Sequence, residues 1–418
     1  MEKFNKTFLS LPLDARFLFL TRTLRLFAYG FLSVILVLYL TRLGLTQTRI
    51  GLLLSLTLFG DTVISFCLTM AADTIGRKRM LELGALLMIL AGILFVLTNN
   101  FLLLLLAATI GVISPSGNEI GPFLAIEQAS LSRTVSNESR TRIFAWYNLA
   151  GSLATACGAL VVGLLAGLLI HLGVTSLNTY RFLIAAYAVL GSILWFLFSR
   201  LSTAIEADQT AGPVPPLKFS DYFRLGQSRG VILKLSSLFA LDAFGGGFIV
   251  QSVAAYWFYA RFHAPTVLLG AIFFGVNLLA GFSALLAARL AYKIGLIRTM
   301  VFTHIPSNIL LMLVPLMPNL GLAIFVYLSR SSISQMDVPT RQSYTMAVVS
   351  PRERSQAGGI TNIARTLGAA CAPIFVGPLL ADVHLLSRIF FLAGGIKIIY
   401  DVILYFQFKH LKPPEERV

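Results

Sequence analysis

An all-α polytopic membrane protein in two related halves is the fold class that three observations predict. Hydrophobic residues make up 57% of the 418-residue chain and charged residues only 12%, too apolar a mixture to cover a water-facing surface. Apolar segments of about twenty residues recur along almost the whole chain, each able to cross a hydrocarbon core of roughly 30 Å. They lack the alternation of barrel strands, and in lipid a helix bonds its whole backbone internally. The third observation is an internal repeat between the halves.

About twelve spans are expected, at 17–41, 48–72, 79–98, 100–131, 141–171, 180–200, 230–261, 264–292, 298–317, 319–348, 354–382 and 386–409. The first is of full helix length and has no small-residue cleavage site, so it is expected to be retained rather than removed as a signal peptide. The stretch 201–229 breaks the apolar pattern with Glu206, Asp208, Pro213, Pro215 and Pro216. It divides a bundle at 1–200 from a bundle at 230–418, and its piece KFSDYFRLG reads either as a short interfacial helix or as an ordinary loop.

The formal charge of +15 orients the chain and marks no nucleic-acid partner. Arg77, Lys78 and Arg79, then Arg133, Arg140 and Arg142, then Lys218, Arg224, Arg229 and Lys234, then Lys293 and Arg298, then Arg352 and Arg354 fall in alternate connections. The connections between them, such as Asn99-Asn100 and Pro318-Asn319, have no lysine or arginine. By the positive-inside rule both termini and the central loop are cytoplasmic, which suits a plasma (inner) membrane protein. Cys67, Cys157 and Cys371 stand singly within spans and read as small packing residues rather than metal ligands or disulfides.

The halves align without a gap when 128–163 is laid on 342–377. Gln128 meets Gln342, Ser136 meets Ser350, Arg140 meets Arg354, Asn148 meets Asn362, Cys157 meets Cys371 and Gly163 meets Gly377. Parallel repeats of this kind are one of the architectures of secondary transporters, with solute sites near mid-membrane.

Charges within the spans are the functional candidates, because an ionised group in hydrocarbon costs several kcal/mol unless it faces a partner or a cavity. They are Arg25, Asp61, Glu119, Asp242, Arg330, Arg365 and Asp401. For each, a structural ion pair that pins helices is the competing reading. It is the stronger one for Asp401, which has Lys397 one turn before it. Laying AYGFL (28–32) on GGGFI (245–249) places Arg25 and Asp242 at equivalent positions of the two halves, where both are expected to face a central cavity. Asp242 could then carry a proton, or Arg25 could hold an anionic solute. Glu127 and Arg341 also align, and read as parts of a charge network latching a cytoplasmic gate. Asn148, Asn362, Asn277 and Gln251 could bond a solute or neighbouring helices. Among the aromatic residues Tyr29, Phe31, Phe244, Tyr256, Trp257 and Tyr344, Tyr29 and Phe244 are preferred for a cavity because they neighbour Arg25 and Asp242. Three consecutive glycines, Gly245, Gly246 and Gly247, follow Asp242. Each gives up roughly 1 kcal/mol of helix propensity against alanine. They suggest a hinge or an open face, and close helix packing would explain them as well.

The segment AADTIGRKR (71–79) resembles the signature loop of the major facilitator superfamily. Asp73, Gly76, Arg77 and Lys78 match its pattern, while Thr69 stands where the family has a first glycine. The second-half loop ARLAYKIGLIR (288–298) keeps Gly295 and Arg298 but has Tyr292 for the aspartate. The resemblance extends over all twelve spans. It implies two six-helix bundles related by a pseudo-twofold axis around a central cavity, and a cytoplasmic gate containing Asp73, Gly76, Arg77 and Lys78. Pro122 to Glu127 resembles an element that ends the fourth helix of sugar porters, with Leu124 in the tyrosine position. It implies Glu127 as a gate partner of Arg77 or Arg140, with Arg341 and Arg354 in the second half. The sugar-porter sequence after the sixth helix is absent. The fourth span also lacks the arginine of drug–proton antiporters, and LAGSLATACGALVVG (149–163) has no proline.

The expected function is therefore a non-enzymatic secondary transporter of a small organic solute, acting by alternating access as a monomer in the lipid bilayer. Proton-coupled efflux leads, without a cofactor or metal and with H+ as the coupling ion. Import or exchange of a polar or anionic metabolite is the alternative, and a receptor or scaffold on a transporter fold the remote one. His171, His263, His304, His384 and His410 are scattered at or near membrane boundaries without a catalytic or metal spacing, and no phosphate-cradling loop is present.

Overall fold

The computed structural model describes residues 11–118, 123–134, 137–206, 226–350 and 353–411, apart from the side chains of Asp73, Arg133, residues 137–142 and Ser355. In the first half, α1 is Leu13–Arg42, α2 Gln47–Ile75, α3 Arg77–Leu97, α4 Phe101–Ile110, α5 Phe123–Thr134, α6 Asn137–His171 and α7 Ser176–Ser199. In the second, α8 is Arg229–Gly247, α9 Gln251–Phe262, α10 Thr266–Ile294, α11 Leu296–Leu313, α12 Leu320–Ser331, α13 Asp337–Val348, α14 Arg354–Leu379 and α15 Val383–Phe408. Among the described residues, ten segments are long and apolar enough to span a membrane, and α4 and α12 are shorter apolar helices. Large apolar side chains remain exposed along them, among them Leu90, Leu102, Phe182 and Phe325, as a chain solvated by lipid requires.

The expected spans 100–131 and 319–348 are not single helices. After α4 the chain turns at Gly111 and Val112, and Val112 takes φ +47°, unusual for a β-branched residue. Its freed carbonyl accepts a hydrogen bond from the buried Tyr187 hydroxyl at 2.9 Å, and Ser114 Oγ donates to the Asn118 carbonyl at 2.9 Å. Pro115 has no N–H to continue the helix. Between α12 and α13 the turn at 332–336 is held by the Gln335 amide, which donates to Ser283 Oγ at 3.2 Å. A third interruption lies in the seventh span: α8 ends at Gly247, and α9 resumes at Gln251.

The chain divides into two compact units, Met1–Thr210 with Pro265–Phe274, and Ala211–Ala264 with Gly275–Val418. The division differs from the expected domain boundaries in one respect: the first residues of α10 group with the first unit. Most of the expected 201–229 linker, including all but Gly226 of KFSDYFRLG, lies outside the described residues.

Inside each unit the repeat is visible as packing. In the first, a Cβ at Gly30 of α1 would lie 2.1 Å from the Thr155 carbonyl oxygen of α6. In the second, a Cβ at Gly247 of α8 would lie 2.4 Å from the Ala369 carbonyl oxygen of α14. Gly30 and Gly247 are equivalent in the alignment of 28–32 with 245–249, and Thr155 and Ala369 in that of 128–163 with 342–377. Only glycine admits backbones this close. Gly76 between α2 and α3, and Gly295 between α10 and α11, match in a second way, with φ of +119° and +87°.

Candidate functional site

In the first unit Arg25 of α1 is fully buried, and its guanidinium grips Glu127 of α5 with both prongs. Nη1 donates to Oε1 at 2.7 Å and Nη2 to Oε2 at 2.8 Å. Thr21 Oγ1 donates to Oε1 at 3.0 Å, and the Tyr147 hydroxyl of α6 donates a short hydrogen bond to Oε2. The Arg25 guanidinium also lies over the Phe123 ring, 4.5 Å from its centroid. One turn before it on α1, Arg22 donates to the Tyr147 carbonyl at 3.0 Å and to Asn148 Oδ1 at 3.2 Å. The carboxylate of Glu127 thus takes two parallel charge-assisted hydrogen bonds from one guanidinium and further bonds from two hydroxyls.

The equivalent place in the second unit carries the same pair with its charges exchanged. Asp242 of α8 stands where Arg25 does, and Arg341 of α13 where Glu127 does. Arg341 Nη1 donates to Asp242 Oδ2 at 3.2 Å and also to Asp337 Oδ2, one turn before it, at 3.0 Å. The other oxygen of Asp242 accepts from Lys397 Nζ of α15 at 2.7 Å. His304 of α11 lies alongside, with Nε2 3.8 Å from Asp242 Oδ1. Its Nδ1 is 2.9 and 3.0 Å from the two oxygens of Asp401, and Asn308 Nδ2 donates to Asp401 Oδ2 at 3.4 Å. Asp242, Asp337, Arg341, Lys397, Asp401, His304 and Asn308 are all buried. They come from four helices of one unit.

Several sequence expectations are corrected by these contacts. Arg25 and Asp242 each have a partner within their own unit, because α5 and α13 bring an opposite charge to them. Glu127 is bonded to Arg25 and Arg77 to the Ile205 carbonyl; Arg140, the other expected partner of Glu127, has its side chain outside the described residues. Lys397 does not pair with Asp401 along its own helix. It reaches Asp242, and Asp401 is bonded to His304. That histidine is buried, not at a membrane boundary, and it was missed, as were Arg22 and Asp337. An Asn one turn after His304 in an apolar span was the available signal. The three cysteines are exposed and free, so they do not fill the core.

The glycine run follows from the same geometry. A Cβ at Gly245 would stand 3.0 Å from Lys397 Cγ, and one at Gly246 would stand 3.6 Å from its Cε and Nζ. Gly245 and Gly246 clear the path by which the lysine crosses to Asp242, while Gly247 makes the α14 contact described above. The helix does end directly after the run.

At the motif loop, Glu206 accepts from the backbone amides of Arg77 at 2.6 Å and Lys78 at 3.2 Å, capping α3. Arg77 Nη1 donates to the Ile205 carbonyl at 3.2 Å, and Lys78 Nζ to those of Ser199 at 2.7 Å and Leu201 at 2.9 Å. Asp73's side chain is not described. In the second unit Glu353 accepts from the amides of Gly226 at 2.5 Å and Ser228 at 3.0 Å. Hydrogen bonding from Ser228, then from the Gly226 amide, holds its carboxyl below the ordinary glutamate range. Arg354 beside it is exposed.

The remaining candidates are dispersed. Asp61 is half-buried and accepts from Ser65 Oγ at 3.3 Å. Glu119 lies outside the described residues. Tyr29 is buried, and Phe244 packs edge-on against Phe248 and Phe375. Gln251 Oε1 accepts from Asn277 Nδ2 at 3.1 Å. Arg330 lies 5.9 Å from the Tyr327 ring centroid. The Nε atoms of Arg330 and Arg365 are buried without a hydrogen-bond partner, and Asp337 is a charge neighbour of both residues. Among the described residues no group of three or more His, Cys, Asp or Glu could hold a metal ion.

Comparison with known proteins places this architecture. An uncharacterised membrane protein of Saccharomyces cerevisiae is 31% identical over 417 residues, covering 94% of this chain and 93% of that protein. The crystal structure of the nucleoside transporter NupG superposes with a TM-score of 0.73 at 13% identity, covering 95% of this chain and 100% of that one. The xylose transporter XylE from E. coli does so with a TM-score of 0.70 at 13% identity, covering 96% and 97%. These identities speak for the fold alone. The family model described as Major Facilitator Superfamily matches residues 18–373. The chain belongs to the Major Facilitator Superfamily, a family of membrane transporters.

Proposed function

We propose that the chain is a secondary transporter that couples movement of a small organic solute to protons through the buried charge cluster of its second unit. One observation carries the reading: Asp242 divides its two oxygens between Lys397 and Arg341, and Arg341 is itself divided between Asp242 and Asp337. Leaving a buried charge without its partner costs about 3–5 kcal/mol. A carboxylate with two cations can release one and keep the other, so the cluster can re-partner during a transport cycle. The Arg25–Glu127 pair is instead joined by two parallel hydrogen bonds. Carboxylates and an imidazole in one intramembrane network are also the groups from which proton pathways are built. The distribution of lysine and arginine supports cytoplasmic termini, and the plasma (inner) membrane is the location we assign.

A second reading, an anionic solute, is favoured by the partnerless buried Nε–H groups of Arg330 and Arg365. Efflux, the direction expected from the sequence, has no residue of its own in the site, and the sign of the flux decides it.

The test uses proteoliposomes containing a trapped pH dye and challenged in turn with nucleosides, pentoses, carboxylates and organic amines. At least one class should drive proton movement, and Asp242→Asn should reduce that movement at least tenfold. Solute uptake without proton movement would refute the coupling. A signal confined to carboxylates and lost in Arg330→Gln and Arg365→Gln would select the anionic reading.

A further inference from the structure

The group that binds the proton can be narrowed further, and the narrowing rests on the proton-coupled reading above. Asp242 Oδ1 is addressed by two nitrogens from different helices: Lys397 Nζ at 2.7 Å and His304 Nε2 at 3.8 Å. The opposite nitrogen of the same imidazole is hydrogen-bonded to Asp401. With Nδ1–H given to Asp401, a neutral His304 turns the unprotonated Nε2 toward Asp242 and Lys397. In that tautomer it has no proton to donate there, and the oxygen is left to Lys397, the contact the structure shows at 2.7 Å. An imidazolium would present Nε2–H to the same oxygen and would repel the ammonium group beside it.

We propose that His304 is the proton-binding group of the cluster, and that its protonation replaces Lys397 by His304 on Asp242 Oδ1. The proton enters at Nε2, no covalent bond besides N–H forms, and its departure returns the oxygen to Lys397. Histidine is suited to this because its ordinary titration falls between pH 5 and 8. The lysine is suited to leaving because its stem runs over Gly245 and Gly246, which place no side chain in its way. A vacant acceptor also stands nearby: Asn308 Oδ1, on the helix of His304, is buried with no hydrogen-bond partner.

Charged and titratable groups around His304 come from three other helices: Asp242 from α8, Asp337 from α13, and Lys397, Tyr400 and Asp401 from α15. Arg341 of α13 is bonded to both Asp242 and Asp337, and Arg330 of α12 and Arg365 of α14 are charge neighbours of Asp337. The Tyr400 ring lies edge-on, 6.1 Å from the imidazole. Asp401 and Asp242 favour the imidazolium; Lys397 opposes it. Removing each should therefore move protonation in opposite senses, which a merely structural histidine bonded to Asp401 alone would not show.

The test needs no transported solute. The full chain, with His171, His263, His384 and His410 replaced by glutamine and His304 kept, is placed in lipid nanodiscs and followed by 15N-imidazole NMR from pH 5 to 8.5. His304 should titrate in this range. At a fixed pH near its midpoint, Asp242→Asn and Asp401→Asn should each lower the imidazolium fraction at least threefold, and Lys397→Gln should raise it. An imidazole that stays in one form across the range, or one indifferent to both Asp242→Asn and Lys397→Gln, overturns the proposal. His304→Gln in the dye-loaded proteoliposomes should lose solute-driven proton movement at least tenfold. Full retention would also overturn the proposal while leaving proton coupling itself intact. Absence of coupling in the unsubstituted chain would instead refute the broader reading, and the NMR titration would still judge His304.

Discussion

The Arg25–Glu127 site and the Asp242–Arg341 site occupy equivalent places in the two units and have opposite polarity, yet they differ in how charge is shared. In the first, one cation meets one carboxylate with two matched hydrogen bonds, and Thr21 and Tyr147 complete the shell. In the second, Asp242 is divided between Lys397 and Arg341, and Arg341 between Asp242 and Asp337. An internal repeat thus preserves where charges sit while the two copies share them differently. Equivalent position does not imply equivalent role.

Removing one partner at each site breaks the comparison most sharply. Glu127→Gln takes from the buried Arg25 the carboxylate it grips with both prongs, at a cost of about 3–5 kcal/mol; monodisperse yield and thermal unfolding in detergent should show it as severe loss. The double substitution Arg25→Met with Glu127→Met should recover most of that loss. Arg341→Met should cost less than Glu127→Gln, about 1–3 kcal/mol, because Asp242 retains Lys397 and Asp337 keeps Arg330 and Arg365 as charge neighbours. Equal losses at the two sites would remove the distinction between tied and shared pairs.

The glycines sharpen it at smaller energies. Gly247→Ala would drive a methyl group to 2.4 Å from the Ala369 carbonyl oxygen, and an overpacked contact of this kind costs about 1–3 kcal/mol. Gly246→Ala meets nothing nearer than Lys397 Cε and Nζ at 3.6 Å. It should leave the unfolding midpoint unchanged or raise it, while slowing any exchange that requires Lys397 to move. The smallest effect belongs to Glu353→Gln at the cap of α8. Its carboxyl is held below the ordinary glutamate range, so its stabilisation is fully present above about pH 4.3 and disappears as pH falls through the lowered folded-state value. The midpoint difference from the unsubstituted chain should be on the order of 1–2 °C at pH 7 and vanish in acid.

Much of the fold was legible in the sequence. Apolar length located most of the spans, and the gapless register of 128–163 with 342–377 exposed the repeat. The breaks after Ile110 and Ser331 were not legible as helix ends. Tertiary partners, the Tyr187 hydroxyl and Ser283 Oγ, satisfy the Val112 carbonyl and the Gln335 amide exposed at these turns.

Charged residues of the site were legible as candidates, but their pairing was not. Spacing along one helix suggested Lys397 with Asp401, a contact of the i,i+4 kind. The rotation of α15 against α8 instead sends the lysine stem over Gly245 and Gly246 to Asp242. Symmetry put Arg25 and Asp242 at equivalent positions, and the structure gives each a partner of opposite charge on another helix of its own unit. His304 was set aside as a boundary residue because a lone histidine in an apolar span has no periodic signature. Its meaning comes from Asp401 on another helix.

Proton coupling through the second unit is tested most directly by Asp242→Asn in dye-loaded proteoliposomes, using whichever solute class drives proton movement in the unsubstituted chain. The expected result is loss of solute-driven proton movement by at least tenfold, with solute counterflow in the absence of a pH gradient retained. Unchanged proton movement in that variant would contradict the assignment of coupling to this cluster.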